Sequence, residues 1–314
     1  MPTPSALAPL ADHWAVAVIA VTALAGLLAG HVGGRLVPLF GPAGPADPHT
    51  RAPLDAAATR DGAAQARAGH AGAPEPEPAP GEDGPPPPRC PHCLAELRFW
   101  RWFPLVADRA FRGRGSCPHC EQTVRSHPGA VLLAVPAAAL AGAAAVLHPD
   151  WTPLWLPAVL WLVAVGSALS VVDLRVQRLP DALVRPAYPV AAALIALAAL
   201  TPPDGPAPGR LLDALLGMVL VTVLYWLLWR IHPRGMGLGD VRLSGLTGLY
   251  AGWAAGPLGA LTAVFWAFAA FSAVGLVLIA LRRASPGSTF PLGPFMLAAT
   301  LATVLAAGPL LPEL

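Results

Sequence analysis

The chain has 314 residues, of which 55% are hydrophobic and only 12% are charged, and its mean hydropathy is +0.57. A soluble domain carries about 25% charged residues, so this composition excludes a soluble globular protein and indicates a membrane protein with several spans. The formal net charge of +2 gives no reason to expect a nucleic-acid partner.

Uncharged apolar runs mark the candidate spans and predict an all-α polytopic membrane protein with about eight transmembrane helices. The first run has no basic residue before it, so it lacks the n-region of a cleavable signal peptide. The sixth run is short for a crossing of ~20 residues, and we expect it to be tilted, re-entrant or buried in the bundle. The runs are 14–34, 129–147, 152–172, 185–201, 211–229, 244–255, 257–281 and 290–311.

The arginines predict the topology. All 20 basic residues are arginine, and 19 of them lie in four segments, 35–128, 173–185, 230–242 and 282–283, which leaves only Arg210 on the other side. Positive residues concentrate in cytoplasmic loops. We therefore expect a multi-pass protein of the cell membrane whose N-terminus faces out and whose arginine-rich loops face the cytoplasm.

Composition divides the chain into four parts. Residues 1–40 hold the first transmembrane helix. Residues 41–89 contain twelve prolines with many alanines, glycines and acidic residues, and such a segment predicts a disordered linker because it has too little apolar surface to bury. A small cytoplasmic module is expected at 90–128, and a helical bundle at 129–314.

All four cysteines occur in two copies of the tetrapeptide CPHC, with 23 residues between the copies. Two C-x-x-C knuckles at this separation can place four thiolates at the corners of a tetrahedron, which suits structural Zn²⁺. The predicted ligands are Cys90, Cys93, Cys117 and Cys120.

Metal-free or redox-active thiols are the alternative for these cysteines. A cytoplasmic location argues against disulfides, and a thioredoxin-like motif needs a βαβ context that the sequence lacks. His92 and His119 could also ligate, but four thiolates already complete a closed site. Zinc would then hold the loop together and leave no open position for catalysis.

Aromatic residues alternate with arginines between the knuckles, in the stretch LRFWRWFPLVADRAFRGRG. This pattern suits a small core together with contacts to anionic membrane lipids, and a substrate-docking surface is the alternative.

Acidic residues inside or at the rim of membrane helices are costly and mark functional sites by default. Most of those after residue 128 fall in outer loops, at the chain end or at a helix start. The three that remain are Asp173 and Asp181, in ALSVVDLRVQRLPD, and Asp240, in GMGLGDVRL. Both stretches lie at the cytoplasmic ends of predicted spans, so they share one membrane depth.

Two carboxylates at one depth in a low-dielectric rim can share a proton and activate water against an amide. The glycines before Asp240 carry no side chains, so an extended peptide could lie beside this aspartate. The alternative is a solvated turn in which Asp240 is a helix N-cap. A dinucleotide-binding fingerprint is excluded, since no strand precedes the glycines and no G-x-x-G follows.

The stretch GMGLGDVRL following VVDLRVQRLPD resembles the type IV prepilin leader peptidases, a family of GxGD-type membrane aspartyl proteases. Other features come in the same order: a first span ending GLLAGHVGGRLVP, the paired C-x-x-C knuckles, and a late FPLGPFM similar to the family's P-x-G-P-F motif. The resemblance implies an aspartic-type endopeptidase that cleaves prepilin or pseudopilin precursors at the cytoplasmic face.

Position by position, the resemblance makes Asp173 and Asp240 the catalytic aspartates. Asp181 follows the family's proline and has a supporting role. Gly237 and Gly239 are the motif glycines. Arg242 stands where the family usually has lysine, which keeps the charge but changes the geometry.

The departures from the family lie in the first loop, which carries the 41–89 insertion and lacks the stretches W-D-N-P-L-S-Y and YP-VE. Many members also N-methylate the new pilin terminus with S-adenosylmethionine, and that activity is associated with this loop. The resemblance therefore supports the peptidase more than the methyltransferase.

Two other classes of function remain open from the residues alone. A proton- or cation-coupled transporter would use the two aspartates as ion sites near the bilayer midplane. A non-catalytic scaffold for pilus or secretion assembly would present the zinc module to a partner and would need neither aspartate.

Overall fold

The computed structural model describes residues 4–41, 87–148, 151, 154–201, 206–233, 235–283, 285 and 290–310. Most of the predicted linker, from 42 to 86, lies outside the described residues. Within the described part the chain is helical, apart from three isolated β-bridges in the cysteine module. The helices are α1 (Pro4–Leu36), α2 (Arg109–Arg114), α3 (Pro128–Leu147), α4 (Trp155–Val176), α5 (Asp181–Leu200), α6 (Pro208–Ile231), α7 (Leu238–Ala280) and α8 (Gly293–Ala306).

Six of these helices, α1 and α3 to α7, are long and apolar enough to cross a membrane, and α8 is a shorter apolar helix. Many of their leucines, valines and tryptophans face outward and are exposed in the isolated chain, as a lipid-facing surface requires. The protein is therefore a multi-pass membrane protein.

Helix α7 is two helices joined at a sharp kink. Gly256 has φ 72° and ψ 175°, outside the helical region, and Pro257 follows it. Thr247 and Ala251 before the kink line one small cavity together with Ala263 after it, so the second half folds back along the first. The two halves correspond to the predicted sixth and seventh spans, and counting them separately confirms a bundle of about eight membrane helices.

Small residues let the helices approach closely. A Cβ added at Gly217 of α6 would lie 2.6 Å from the carbonyl oxygen of Gly248 in α7, and one at Gly26 of α1 would lie 2.6 Å from that of Ala134 in α3. Membrane helices associate through such close packing because lipid supplies no hydrophobic driving force between them.

The cysteine module is tied to the end of α1. A 3-10 turn, Val37–Phe40, extends this helix. The Arg89 N–H donates to the Leu39 carbonyl at 2.9 Å, and the His127 N–H donates to the Gly34 carbonyl at 2.9 Å. The module's buried residues belong to the same apolar core as the bundle. Both edges of the module are thus anchored to one helix end.

Candidate active site

Asp173 is a buried carboxylate three residues before the end of α4. Only 3% of it is exposed, and burying a charge is costly unless the group finds partners or is neutralised. Its Oδ2 accepts a hydrogen bond from the Gly293 N–H at 3.0 Å. Asp173 therefore faces the start of α8, a helix 120 residues further along the chain.

Gly293 begins α8, where backbone N–H groups have no partner within the helix and the helix dipole favours negative charge. The residue before it, Leu292, offers no side-chain cap. Asp173 supplies that acceptor from another helix. A Cβ at Gly293 would lie 2.7 Å from Asp173 Oδ2, so this approach requires glycine.

Leu179, in the link between α4 and α5, joins the segments that carry the two aspartates. It is buried, with 5% of its surface exposed. A Cβ at Gly239 would lie 2.9 Å from the Leu179 Cβ, and one at Gly293 would lie 3.6 Å from its Cδ1. Gly239 is thus needed for the start of α7 to pack beside the Asp173 helix.

Asp240 lies in the first turn of α7 and is half-buried. Its Oδ2 accepts from the Gly237 N–H at 3.3 Å. The helix-cap alternative is therefore part of the structure, although the N-cap residue is Gly237 and Asp240 is three residues further on. This cap uses Oδ2, so the other oxygen of the Asp240 carboxylate takes no part in it.

The two carboxylates lie on neighbouring helix ends, because Leu179 packs against both Gly239, which precedes Asp240, and Gly293, whose N–H binds Asp173. They come from helix ends, since α4 ends at Val176 and α7 begins at Leu238. An ion site at the bilayer midplane, as a transporter would need, does not fit that position.

Asp181 lies beside this pair in a different role. Its carboxylate forms ion pairs with Arg242 and with Arg185, the latter at 2.8 Å. The Tyr188 hydroxyl donates to the Arg242 carbonyl. Asp181 and Arg242 therefore join the start of α5 to the start of α7, and neither reaches the Asp173 carboxylate through any contact that we find among the described residues.

The four cysteines converge as their spacing predicts. Their Sγ atoms all lie within 4.8 Å of one another, with Cys90 to Cys120 at 3.9 Å and Cys93 to Cys117 at 3.7 Å. Zn–S bonds of ~2.3 Å in a tetrahedron place sulfur atoms ~3.8 Å apart, whereas a disulfide needs ~2.05 Å. The geometry fits a metal and excludes disulfides between these pairs.

Both knuckles fold in the same way. In each, the N–H of the residue after the second cysteine, Leu94 or Glu121, donates to the carbonyl of the first, and that residue has φ 59°. Burial raises the pKa of Cys90 to about 12, so a thiolate there requires a nearby cation. Such a cluster, with two buried and two half-buried thiols, is suited to a closed metal site.

The module and the aspartates lie at the same end of the bundle. Gly129, at the start of α3, packs against Val171 of α4. Burial and, to a lesser extent, the charge of Arg175 lower the pKa of His127, the residue that caps α3. The last turn of α4, which carries Asp173, therefore adjoins the base of the cysteine module.

Two residues that contribute to the site, Gly293 and Leu179, were not predicted as site residues from the sequence. Gly293 donates to Asp173 through its backbone, and its signal was the P-x-G-P-F pattern, in which a glycine stands between prolines at a helix start. Leu179 contributes only packing, and no pattern in the sequence distinguishes it from other buried leucines.

A model of the type IV leader peptidase family matches residues 158–280, which contain Asp173, Asp181 and Asp240. A curated protein from Pseudomonas putida named prepilin leader peptidase/N-methyltransferase is 30% identical over 230 residues, which cover 70% of this chain and 72% of that protein. The chain belongs to the type IV leader peptidase family.

Other curated proteins match the chain to a similar extent. Proteins with the same name from Stutzerimonas stutzeri and from Burkholderia pseudomallei strain K96243 are 28% and 31% identical over 213 and 221 residues. These matches cover 67% and 70% of this chain, and 68% and 67% of the two relatives. No solved structure matches the chain significantly. The family resemblance of the sequence motifs is confirmed.

Proposed function

We propose that this protein is an aspartic-type endopeptidase that removes leader peptides from type IV prepilin-like precursors, with Asp173 and Asp240 as its catalytic pair. The observation that carries the proposal is the packing of the start of α7 and the start of α8 around Leu179, which brings the buried Asp173 carboxylate close to the helix turn that carries Asp240. The names of the curated relatives supply the substrate class.

The pair provides the chemistry of amide hydrolysis without a covalent intermediate. Like charges close together cannot both ionise easily, so one carboxyl keeps a proton and the other is free to act as a base. The base takes a proton from water, whose oxygen attacks the scissile carbonyl, while the protonated carboxyl polarises the carbonyl oxygen. When the tetrahedral intermediate collapses, the C–N bond breaks, and the carboxyl that took the proton from water gives it to the leaving amine nitrogen.

The surrounding residues support this pair. The Gly293 N–H holds one Asp173 oxygen at 3.0 Å and so orients the carboxyl. Gly237 is exposed and leaves room for an extended substrate backbone beside Asp240. Gly239 allows close packing on Leu179. The Asp181–Arg242 ion pair fixes the start of α7.

The placement at a helix-end rim suits a precursor that presents a basic leader followed by a hydrophobic helix in the bilayer. We assign this rim to the cytoplasmic face because the arginines of the adjoining segments predict that orientation. The active site would then meet the leader before the pilin helix leaves the membrane.

Zinc has a structural part in this proposal. The four thiolates would hold Zn²⁺ in a closed tetrahedral site, and the ion would fix the fold of the module at 90–128. The relatives' names also include N-methyltransferase, an activity that would use S-adenosylmethionine. The proposal for this chain is confined to peptide cleavage, since its first loop departs from the family pattern.

The test is co-expression of the full-length protein with a pilin-like precursor, with leader removal followed by the shift in precursor mass. The wild type should process the precursor, and Asp173→Asn and Asp240→Asn should leave it uncut. Asp181→Asn is the matched control, because it removes a neighbouring carboxylate of equal size and should cost far less activity.

Normal processing by both Asp173→Asn and Asp240→Asn would refute the aspartyl mechanism. Normal processing by Asp173→Asn together with loss in Asp181→Asn would show that Asp181, not Asp173, is the partner of Asp240. Membrane extraction of each variant as a folded protein distinguishes lost chemistry from lost structure.

A further inference from the structure

A basic groove, whose lining does not include the aspartates, lies where the cysteine module meets the bundle. Its volume is about 540 Å³. The last turns of α1 and the chain just before α3 form its sides. Its lining includes His31, Arg35, Arg114, Arg125, Val131 and Leu132.

The upper part of the groove is cationic. Arg35, Arg114 and Arg125 come from three separate segments, and no acidic residue is among the described residues that line the groove. None of the three forms an ion pair within the described part of the chain. The Arg35 side chain packs on Gly115 of the cysteine module.

The lower part of the groove is apolar and opens outward. Val131 and Leu132 belong to the first turn of α3, a predicted span, and Leu132 is 73% exposed. On the neighbouring face of α1, Val32 and Leu28 are 45% and 61% exposed. The cationic part therefore lies at the level where a membrane helix begins, directly above a surface that faces lipid.

We infer that this groove is a binding site for an anionic phospholipid. Its phosphate would pair with the three arginines, and its acyl chains would lie along Val131 and Leu132. Basic pockets at the ends of membrane helices recognise anionic headgroups in this way, and arginine matches phosphate geometry particularly well. A basic leader peptide does not fit, because the groove would repel it.

The lipid would connect the cysteine module to the membrane bundle. Arg114 belongs to the cysteine module, whereas Arg35 belongs to a membrane helix. A headgroup shared by both would hold the module against the bundle, in addition to the two backbone hydrogen bonds that anchor it.

The experiment uses the purified full-length protein in detergent, stripped of lipid, and measures lipid binding by native mass spectrometry. The probes are dioleoyl phosphatidylglycerol, which is anionic, and dioleoyl phosphatidylcholine, which is zwitterionic. The wild type should bind the first more tightly. Arg114→Gln with Arg125→Gln should weaken that binding about 25-fold, at about five-fold for each arginine, and leave the second probe unchanged.

The matched control is Arg98→Gln with Arg109→Gln, which removes the same charge from exposed positions on the same module outside the groove. It should change binding less than two-fold. If the double variant fails to fold, Arg125→Gln alone is measured instead. This substitution is at an exposed position and should weaken phosphatidylglycerol binding about five-fold.

Three outcomes would overturn the inference. Unchanged phosphatidylglycerol binding in the double variant would show that the groove does not hold the lipid. An equal loss of phosphatidylglycerol binding in the control variant, Arg98→Gln with Arg109→Gln, would show that the effect comes from the general surface charge of the module. Full displacement of the lipid by millimolar glycerol phosphate would identify a site for soluble phosphate instead.

Discussion

The cysteine module and the aspartate site lie at the same end of the bundle, but their functional groups are brought together by different means. Each cysteine pair is built by a local knuckle whose backbone hydrogen bonds join residues at most nine positions apart. The hydrogen bond that orients Asp173 joins residues 120 positions apart. The module therefore depends on local geometry and on the proposed metal, and the aspartate site depends on how the ends of α4, α7 and α8 pack.

This difference predicts which changes each region tolerates. A knuckle can be lost without moving the helix ends, since the bundle packs through its own glycines and alanines. The aspartates, in contrast, respond to any change in the spacing between α4, α7 and α8.

The largest effect is expected from Asp173 and Asp240, the proposed catalytic pair. Asp173→Asn and Asp240→Asn should each lower the cleavage rate of a pilin-like precursor by about a thousand-fold or more, and the double variant should be little worse, because the two groups act as a unit. Asparagine keeps an oxygen that can accept from the Gly293 N–H, so the packing at α8 should persist. In vitro cleavage in detergent measures all three rates.

A loss of cleavage rate in the double variant that equals the product of the two single losses would contradict this prediction. The two carboxylates would then act independently, and the shared-proton mechanism would be wrong.

The next effect tests the spacing of the helix ends. Gly293→Ala places a Cβ 2.7 Å from Asp173 Oδ2, which forces the carboxyl or the start of α8 to move. Displacement of a catalytic group by about 1 Å costs about 100-fold in rate, so we expect a loss of ten- to a hundred-fold in precursor cleavage.

The control is Gly275→Ala, also in a helix of the bundle, where an added Cβ meets nothing within 4 Å. It should retain full activity. Equal activity of the two variants would show that the close approach of Gly293 to Asp173 is not required.

The third prediction concerns metal in the module. The purified protein should contain about one zinc per chain, and Cys90→Ser with Cys117→Ser should lose it, because the proposed closed site needs both sulfurs as ligands. Elemental analysis measures the metal, and limited proteolysis should show new cleavage within 90–128 while the membrane bundle stays folded.

His92→Ala with His119→Ala is the matched change in the same knuckles and should keep the zinc. Full retention of zinc by the double serine variant would refute the four-thiolate site, and unfolding of the bundle in that variant would refute the independence of the two regions.

The smallest effect is expected from the predicted linker. Deletion of 45–85 should leave membrane insertion and zinc content unchanged, because the segment has no apolar face to bury and its flanks already meet at the bond between Arg89 and Leu39. The eight residues left between these two are enough for an ordinary loop. Membrane fractionation and elemental analysis provide the readout.

A longer deletion, of 40–89, provides the contrast. It removes the Phe40 ring, which packs 5.9 Å from that of Phe99, and also the Arg89 N–H, so it should loosen the module. Loss of insertion or zinc after the shorter deletion would mean that the linker is structural.

The sequence by itself determined the features that depend on local pattern. Apolar runs predicted the membrane helices because a span must satisfy its own backbone, and the repeated CPHC predicted the thiol cluster because ligand spacing fixes a knuckle. The scarcity of carboxylates after residue 128 identified Asp173 and Asp240 as candidates, since a charge near lipid is too costly to keep without use.

The tertiary structure alone decided how these pieces meet. It folded α7 back on itself at Gly256, gave Asp173 a donor at Gly293, and placed Leu179 between two glycines. It also gathered arginines from three segments into one groove. A backbone donor or a packing leucine leaves no distinctive sequence signal, because its role depends on neighbours that only the packed helices bring within contact distance.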